Sequence, residues 1–140
     1  MESSANLKLK PIYFDLETTD FIRGGVSPEI ISFAAIGEEF RTNPNEKFNE
    51  KMVPTCVINP GASSKNGFTK IGNTLCFNDK PQDAGHPRDV LTRFVEFLDK
   101  LSEHCENGEK IVLVSLHFSV FFFSISMLGI PVFFATASLA

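Results

Sequence analysis

Ile111-Val112-Leu113-Val114 is apolar at four successive positions, so neither of its faces can be left in water and it reads as a strand buried inside a sheet. An amphipathic helix leads into it. Over Asp89 to His104 the residues Val90, Leu91, Phe94, Val95, Leu98 and Leu101 recur at intervals of three and four, which places them on one helical face. Arg88, Arg93, Glu96, Asp99, Lys100 and Glu103 take the remainder, and Asn107-Gly108 supplies the stop. A helix followed by a strand covered on both sides needs further strands beside it, which puts the chain in the α/β class.

Those strands are predicted upstream. From Pro11 to Glu17 the residues alternate, with Ile12, Phe14 and Leu16 on one side and Tyr13, Asp15 and Glu17 on the other. A turn-rich stretch, Arg23-Gly24-Gly25-Val26-Ser27-Pro28, leads to a second strand over Ile30 to Ile36. Lys47 to Ile58 reads as a third strand ended by Asn59-Pro60-Gly61, so the chain is expected to start with three antiparallel strands. Gly61 to Asp83 is polar with little periodicity and is expected to form loops with short helical turns.

The composition changes at Ser115, after which no Asp, Glu, Lys or Arg occurs through Ala140. The chain is therefore divided into an extension over 1–10, a domain over 11–114 and an uncharged apolar tail over 115–140. About 20 apolar residues cross a hydrocarbon core roughly 30 Å thick, so Phe118 to Ala140 is a candidate membrane anchor. The abruptness of the break, together with Pro131 and the serines, favours an extension foreign to the domain. The net charge of −4 provides no general attraction for polyanions, so nucleic-acid binding would rest on metal and local cations. Cys56, Cys76 and Cys105 are odd in number with no C-x-x-C pair, which argues against a disulfide framework or zinc cluster and favours buried or inert thiols. Met1 to Pro11 has no apolar stretch of the secretory kind, and a cytoplasmic or nuclear location is expected.

The sharpest chemical signal is Phe14-Asp15-Leu16-Glu17-Thr18-Thr19. Carboxylates two apart on a strand project to one face roughly 6–7 Å apart, a spacing suited to hard divalent ions such as Mg²⁺ or Mn²⁺. On spacing alone, an acidic pair on the solvated face of an edge strand is the commoner explanation.

The surrounding residues add to it. Phe14 to Thr19 resembles the first motif of the DEDDh, or DnaQ-like, 3′–5′ exonucleases of the ribonuclease H-like fold. Glu29-Ile30-Ile31-Ser32-Phe33-Ala34-Ala35-Ile36 is similar to that family's second strand. Val57-Ile58-Asn59-Pro60 and Asn66-Gly67-Phe68-Thr69-Lys70-Ile71 resemble its "P … H-G-I-T" stretch, and the 89–101 helix and 111–114 strand follow in the family's order. The resemblance spans about residues 11–114 and is most specific in the first motif. It implies a two-metal hydrolysis of the terminal phosphodiester at a DNA or RNA 3′ end, releasing a nucleoside 5′-monophosphate. Asp15 would bridge both metals, Glu17 would bind the one that activates water, and Thr18 would meet the terminal nucleotide through its backbone.

The sequence departs from the family after Glu109, beyond which there is no acidic residue to serve as the two remaining metal-binding aspartates. His117 is not assigned as the general base, and His86 and His104 have no partners at ligand spacing. The expectation is a truncated exonuclease-family domain that is weak or inactive in this form. The alternatives are a non-catalytic half-domain that binds nucleic acid or associates with itself or another chain through its incomplete sheet, and the membrane-anchored fragment.

Overall fold

The computed structural model describes residues 8–21, 28–115 and 133–136. It is a mixed α/β structure with a mixed main sheet, a second small sheet and two helices. The strands are β1 (Lys8–Thr18), β2 (Ile30–Gly37), β3 (Lys47–Lys51), β4 (Phe68–Ile71), β5 (Thr74–Phe77), β6 (Lys80–Pro81), β7 (Glu109–Ser115) and β8 (Phe133–Thr136). The helices are α1 (Pro60–Asn66) and α2 (Pro87–Glu103), and a single 3-10 turn covers Pro44–Glu46. The main sheet has the order β3-β2-β1-β7-β8, and the small one β4-β5-β6. The chain clusters into two compact units, one from Met1–Asp15, Ala35–Lys47 and Val95–Ala140, the other from Leu16–Ala34 and Phe48–Phe94.

In the first unit, β1 and β7 run parallel, with Ile12 opposite Leu113 and Phe14 opposite Ser115. Ile12 and Leu113 are both fully buried, and Val112 and Val114 are also in the core. Three successive buried positions are what a strand covered on both faces must show. Glu46 lies buried as well, its carboxylate 2.8 Å from the Lys10 ammonium and accepting the Glu39 N–H at 2.9 Å. A Cβ on Gly37 would run into that carboxylate, so glycine is required there by close approach.

In the second unit, Phe33, Phe48 and Phe94 pack ring on ring, the Phe33 and Phe94 centroids 4.1 Å apart. Ile31, Ile58, Phe68 and Leu75 form a second buried cluster against Ala84. The α1 helix is set by its caps. Asn59 accepts the Gly61 N–H at 2.8 Å, Pro60 occupies the first turn, and Gly67 closes the helix at φ 77° with its N–H on the Ser63 carbonyl.

The α2 face is as the periodicity predicts, with Val90, Phe94, Leu98 and Leu101 all buried. The 61–83 stretch is not. Instead of loops with helical turns, it forms α1 and a meander of three short strands. The β4–β5 loop is Gly72-Asn73, with Gly72 at φ 60°, and the β5–β6 loop is Asn78-Asp79, with φ values of 47° and 64°. Positive φ at both residues is what a two-residue type I′ hairpin needs, and Asn and Asp tolerate it. The third strand is also shorter than expected: β3 ends at Lys51, and Met52 makes only an isolated bridge to Gly85.

Two corrections concern the tail and the thiols. Phe133–Thr136, within the stretch read as foreign to the domain, pairs in parallel with β7 from Val112 to Ser115. Residues 116–132 and 137–140, including His117 and most of the candidate anchor, lie outside the described residues. Among the described residues, no helix is long and apolar enough to cross a membrane. Cys76 is buried and Cys105 half-buried, where burial and the neighbouring Glu109 push its thiol up, but Cys56 is exposed.

Candidate metal and strand-end site on the first strand

Asp15 and Glu17 both lie on β1, in its C-terminal half. Ile12 and Phe14 are buried while Tyr13, Asp15 and Glu17 are half-buried, in keeping with alternation; Leu16, assigned to the apolar side, is itself only half-buried. Two carboxylates at that interval share a strand face. Among the described residues, no group of three or more His, Cys, Asp or Glu side chains could hold a metal ion. The donor set is therefore two carboxylates, which fits one Mg²⁺ or Mn²⁺ that completes its shell with water or phosphate oxygens. A pair of ions needs further ligands.

Thr18 ends β1 and is tied on both sides. Its hydroxyl donates to the Asp20 carbonyl at 2.8 Å, and its own carbonyl accepts the Asn66 side-chain amide at 3.1 Å. Thr19 is buried, donates its N–H to the Glu29 carbonyl at 3.0 Å and accepts the Asn59 N–H on its carbonyl at 2.7 Å. The Thr19 hydroxyl accepts the Glu29 N–H at 3.0 Å, and the Cys56 thiol lies 3.5 Å away. Asp20, a third acidic residue beside the motif, is used locally: one oxygen takes the Phe21 N–H and the other the Asn59 side-chain amide at 3.4 Å.

The sequence reading missed the residues that hold this strand end: Asp20, Glu29, Asn59 and Asn66. Asn59-Pro60-Gly61 was visible as a strand stop, and the same residues are a helix N-cap whose helix carries Asn66 back to Thr18. Glu29 carried no signal beyond its place ahead of β2.

His86 and His104 act locally at the ends of α2. His86 accepts the Arg88 N–H on its ring at 3.2 Å, and the His104 ring sits 2.8 Å from the Lys100 carbonyl. Two cavities of about 420 and 450 Å³ are lined by neither Asp15, Glu17 nor Thr18: one runs along Lys10, Glu46 and Glu106, the other along Val57, Ser63 and Lys70.

Partial burial alone would raise the Glu29 carboxyl, but hydrogen bonds from Thr55 and Cys56 outweigh it and hold the group below the usual carboxylate range. A group depressed in the folded state contributes stability above its unfolded value, about 4.3, and loses it as pH falls through the folded value. Urea midpoints measured downward from about pH 5 should therefore fall more steeply for the native chain than for Glu29→Gln. Parallel curves would show that these hydrogen bonds do not favour the ionised form.

No protein-family model matches the chain, and no curated protein matches it.

Proposed function

We propose that residues 11–114 are the first part of a DEDDh-type 3′–5′ exonuclease domain of the ribonuclease H-like fold, acting on DNA or RNA 3′ ends. The observation that carries the reading is the motif Asp15-Leu16-Glu17-Thr18-Thr19 at the end of a strand flanked on both sides in a mixed sheet. The parallel neighbour β7, preceded by α2, agrees with the family's order of elements.

In this reading Asp15 and Glu17 hold a divalent ion, and the tied backbone at Thr18 receives the terminal nucleotide. When bound, such an ion supplies charge neutralisation for the phosphodiester and activation of the attacking water. The chain's own contribution is to fix the two carboxylates on one strand and to keep the strand end from moving. With two acidic ligands, turnover is weak or absent in this form.

A second reading is favoured by the lack of a third metal-ligating side chain among the described residues: binding of nucleic acid without cutting it. The two separate in chelator, where metal-dependent binding disappears and surface binding persists.

The test is Mn²⁺- or Mg²⁺-dependent release of 5′-mononucleotides from 3′-labelled single strands, comparing the chain with Asp15→Ala, Glu17→Ala. The expected result is slow release that falls to background in the variant, or no release with Mn²⁺ binding that the variant abolishes. Neither release nor Mn²⁺ binding by the native chain would overturn the assignment.

A further inference from the structure

Glu29 ties together three segments at the end of β1. Its backbone is paired to Thr19 in both directions, donating to the Thr19 hydroxyl at 3.0 Å and accepting the Thr19 N–H at 3.0 Å. Its carboxylate faces the other way. One oxygen accepts the Thr55 N–H at 2.7 Å, while the other accepts the Thr55 hydroxyl and the Cys56 N–H.

Residues 55–57 have no apolar anchor of their own. Thr55 and Cys56 are exposed, and Val57 is 87% exposed, between the buried Pro54 and Ile58. What holds this stretch is polar: the Glu29 carboxylate and the Cys56 thiol near the Thr19 hydroxyl. A little further on, Asn59 donates to the Thr19 carbonyl, so the 55–59 segment stands as a wall beside Thr18 and Thr19.

We propose that Glu29 is a positioning residue for a nucleic-acid strand end bound at Thr18, acting by clamping segment 55–59 against Thr19; this rests on the exonuclease-family reading above. A carboxylate facing an incoming phosphate would repel it, but three donors already occupy the oxygens of Glu29. The group shapes the site without contacting the strand. Glutamine keeps an acceptor oxygen for the amides and an amide that can reach the Thr55 hydroxyl, whereas alanine keeps neither.

The test uses the full chain, with Mn²⁺ affinity measured by EPR and oligonucleotide binding by fluorescence anisotropy in Ca²⁺. DNA and RNA single strands are compared with a free 3′-hydroxyl and with a 3′-phosphate cap, and the ratio of the two Kd values reports strand-end recognition. Glu29→Ala should reduce that ratio at least fivefold while Mn²⁺ affinity stays within twofold, and Glu29→Gln should restore the ratio to within twofold of the native chain. A merely structural role would lower both affinities together and would not separate them. Should Glu29→Ala fail to fold, Thr55→Val removes one donor of the clamp and should lower the ratio two- to threefold.

An unchanged ratio in Glu29→Ala, or in Thr55→Val where the alanine variant is unfolded, overturns the proposal and leaves the exonuclease reading standing. So does native Mn²⁺ binding without any preference for a free 3′ end. If the native chain binds neither Mn²⁺ nor strand ends, both the family reading and the role of Glu29 fall.

Discussion

Glu46→Ala is expected to lower the free energy of unfolding by about 3–5 kcal/mol, read as a fall in the urea midpoint, because it leaves Lys10 charged in a site built for a pair. Glu46 is 1% exposed and Lys10 is largely covered, so water cannot replace the missing carboxylate well. The same substitution removes the acceptor of the Glu39 N–H and leaves a void beneath Gly37. The hydrogen bond and charge of Glu46 hold the Lys10 ammonium above its ordinary range against the opposing effect of burial. A raised lysine contributes stability below its unfolded value and loses it as pH rises through the folded one, so this pair is at full strength through neutral pH. The double variant Lys10→Met, Glu46→Leu tests the cause: with no orphan charge left, it should recover most of the loss. If Glu46→Ala costs under 1 kcal/mol, the pair is wetter than its burial implies.

That pair also shows where sequence reading stops. Lys10 and Glu46 are 36 positions apart with nothing local to join them, and a buried carboxylate in a 3-10 turn has no periodic signature. The elements with periodicity were legible: α2 from its three-and-four spacing, β7 from its continuous apolar run, β1 from alternation. The small sheet could have been read too. Gly72-Asn73 and Asn78-Asp79 are two-residue hairpin loops flanking Thr74-Leu75-Cys76-Phe77, a signal outweighed by the polarity of the neighbouring residues. β8 was hidden for a different reason, since an uncharged stretch gives no contrast from which a period of two can be recognised. At the candidate site, Asp15, Glu17 and Thr18 stood out because they are contiguous. Glu29, Asn59 and Asn66 reach the same strand end from 11 to 48 residues away, through single hydrogen bonds.

Phe94→Ala should cost about 3–5 kcal/mol, since it removes a buried ring from the centre of the second unit and the neighbours can close the space only in part. Phe94 on α2 is 1% exposed and touches Phe33 on β2 at 4.1 Å and Phe48 on β3 at 5.2 Å between ring centroids. Phe33 and Phe48 are themselves edge to face at 5.9 Å, so each ring makes aromatic contacts beyond the area it buries. Phe94→Leu, which keeps most of the volume, should cost only about 1–1.5 kcal/mol. Phe77→Ala is the control: that ring is 39% exposed, and its loss should stay within about 0.5–1 kcal/mol. The consequence reaches the candidate site, because Leu16–Ala34 belongs to the same compact unit as Phe33 and Phe94. Amide exchange at Thr19 and Asn59, whose N–H groups pin the end of β1, should accelerate in Phe94→Ala by about the factor that the lost stability dictates, tenfold per 1.4 kcal/mol. Unchanged exchange at those two amides alongside a large fall in stability would mean that the strand end is held by its local hydrogen bonds and opens independently of the aromatic core.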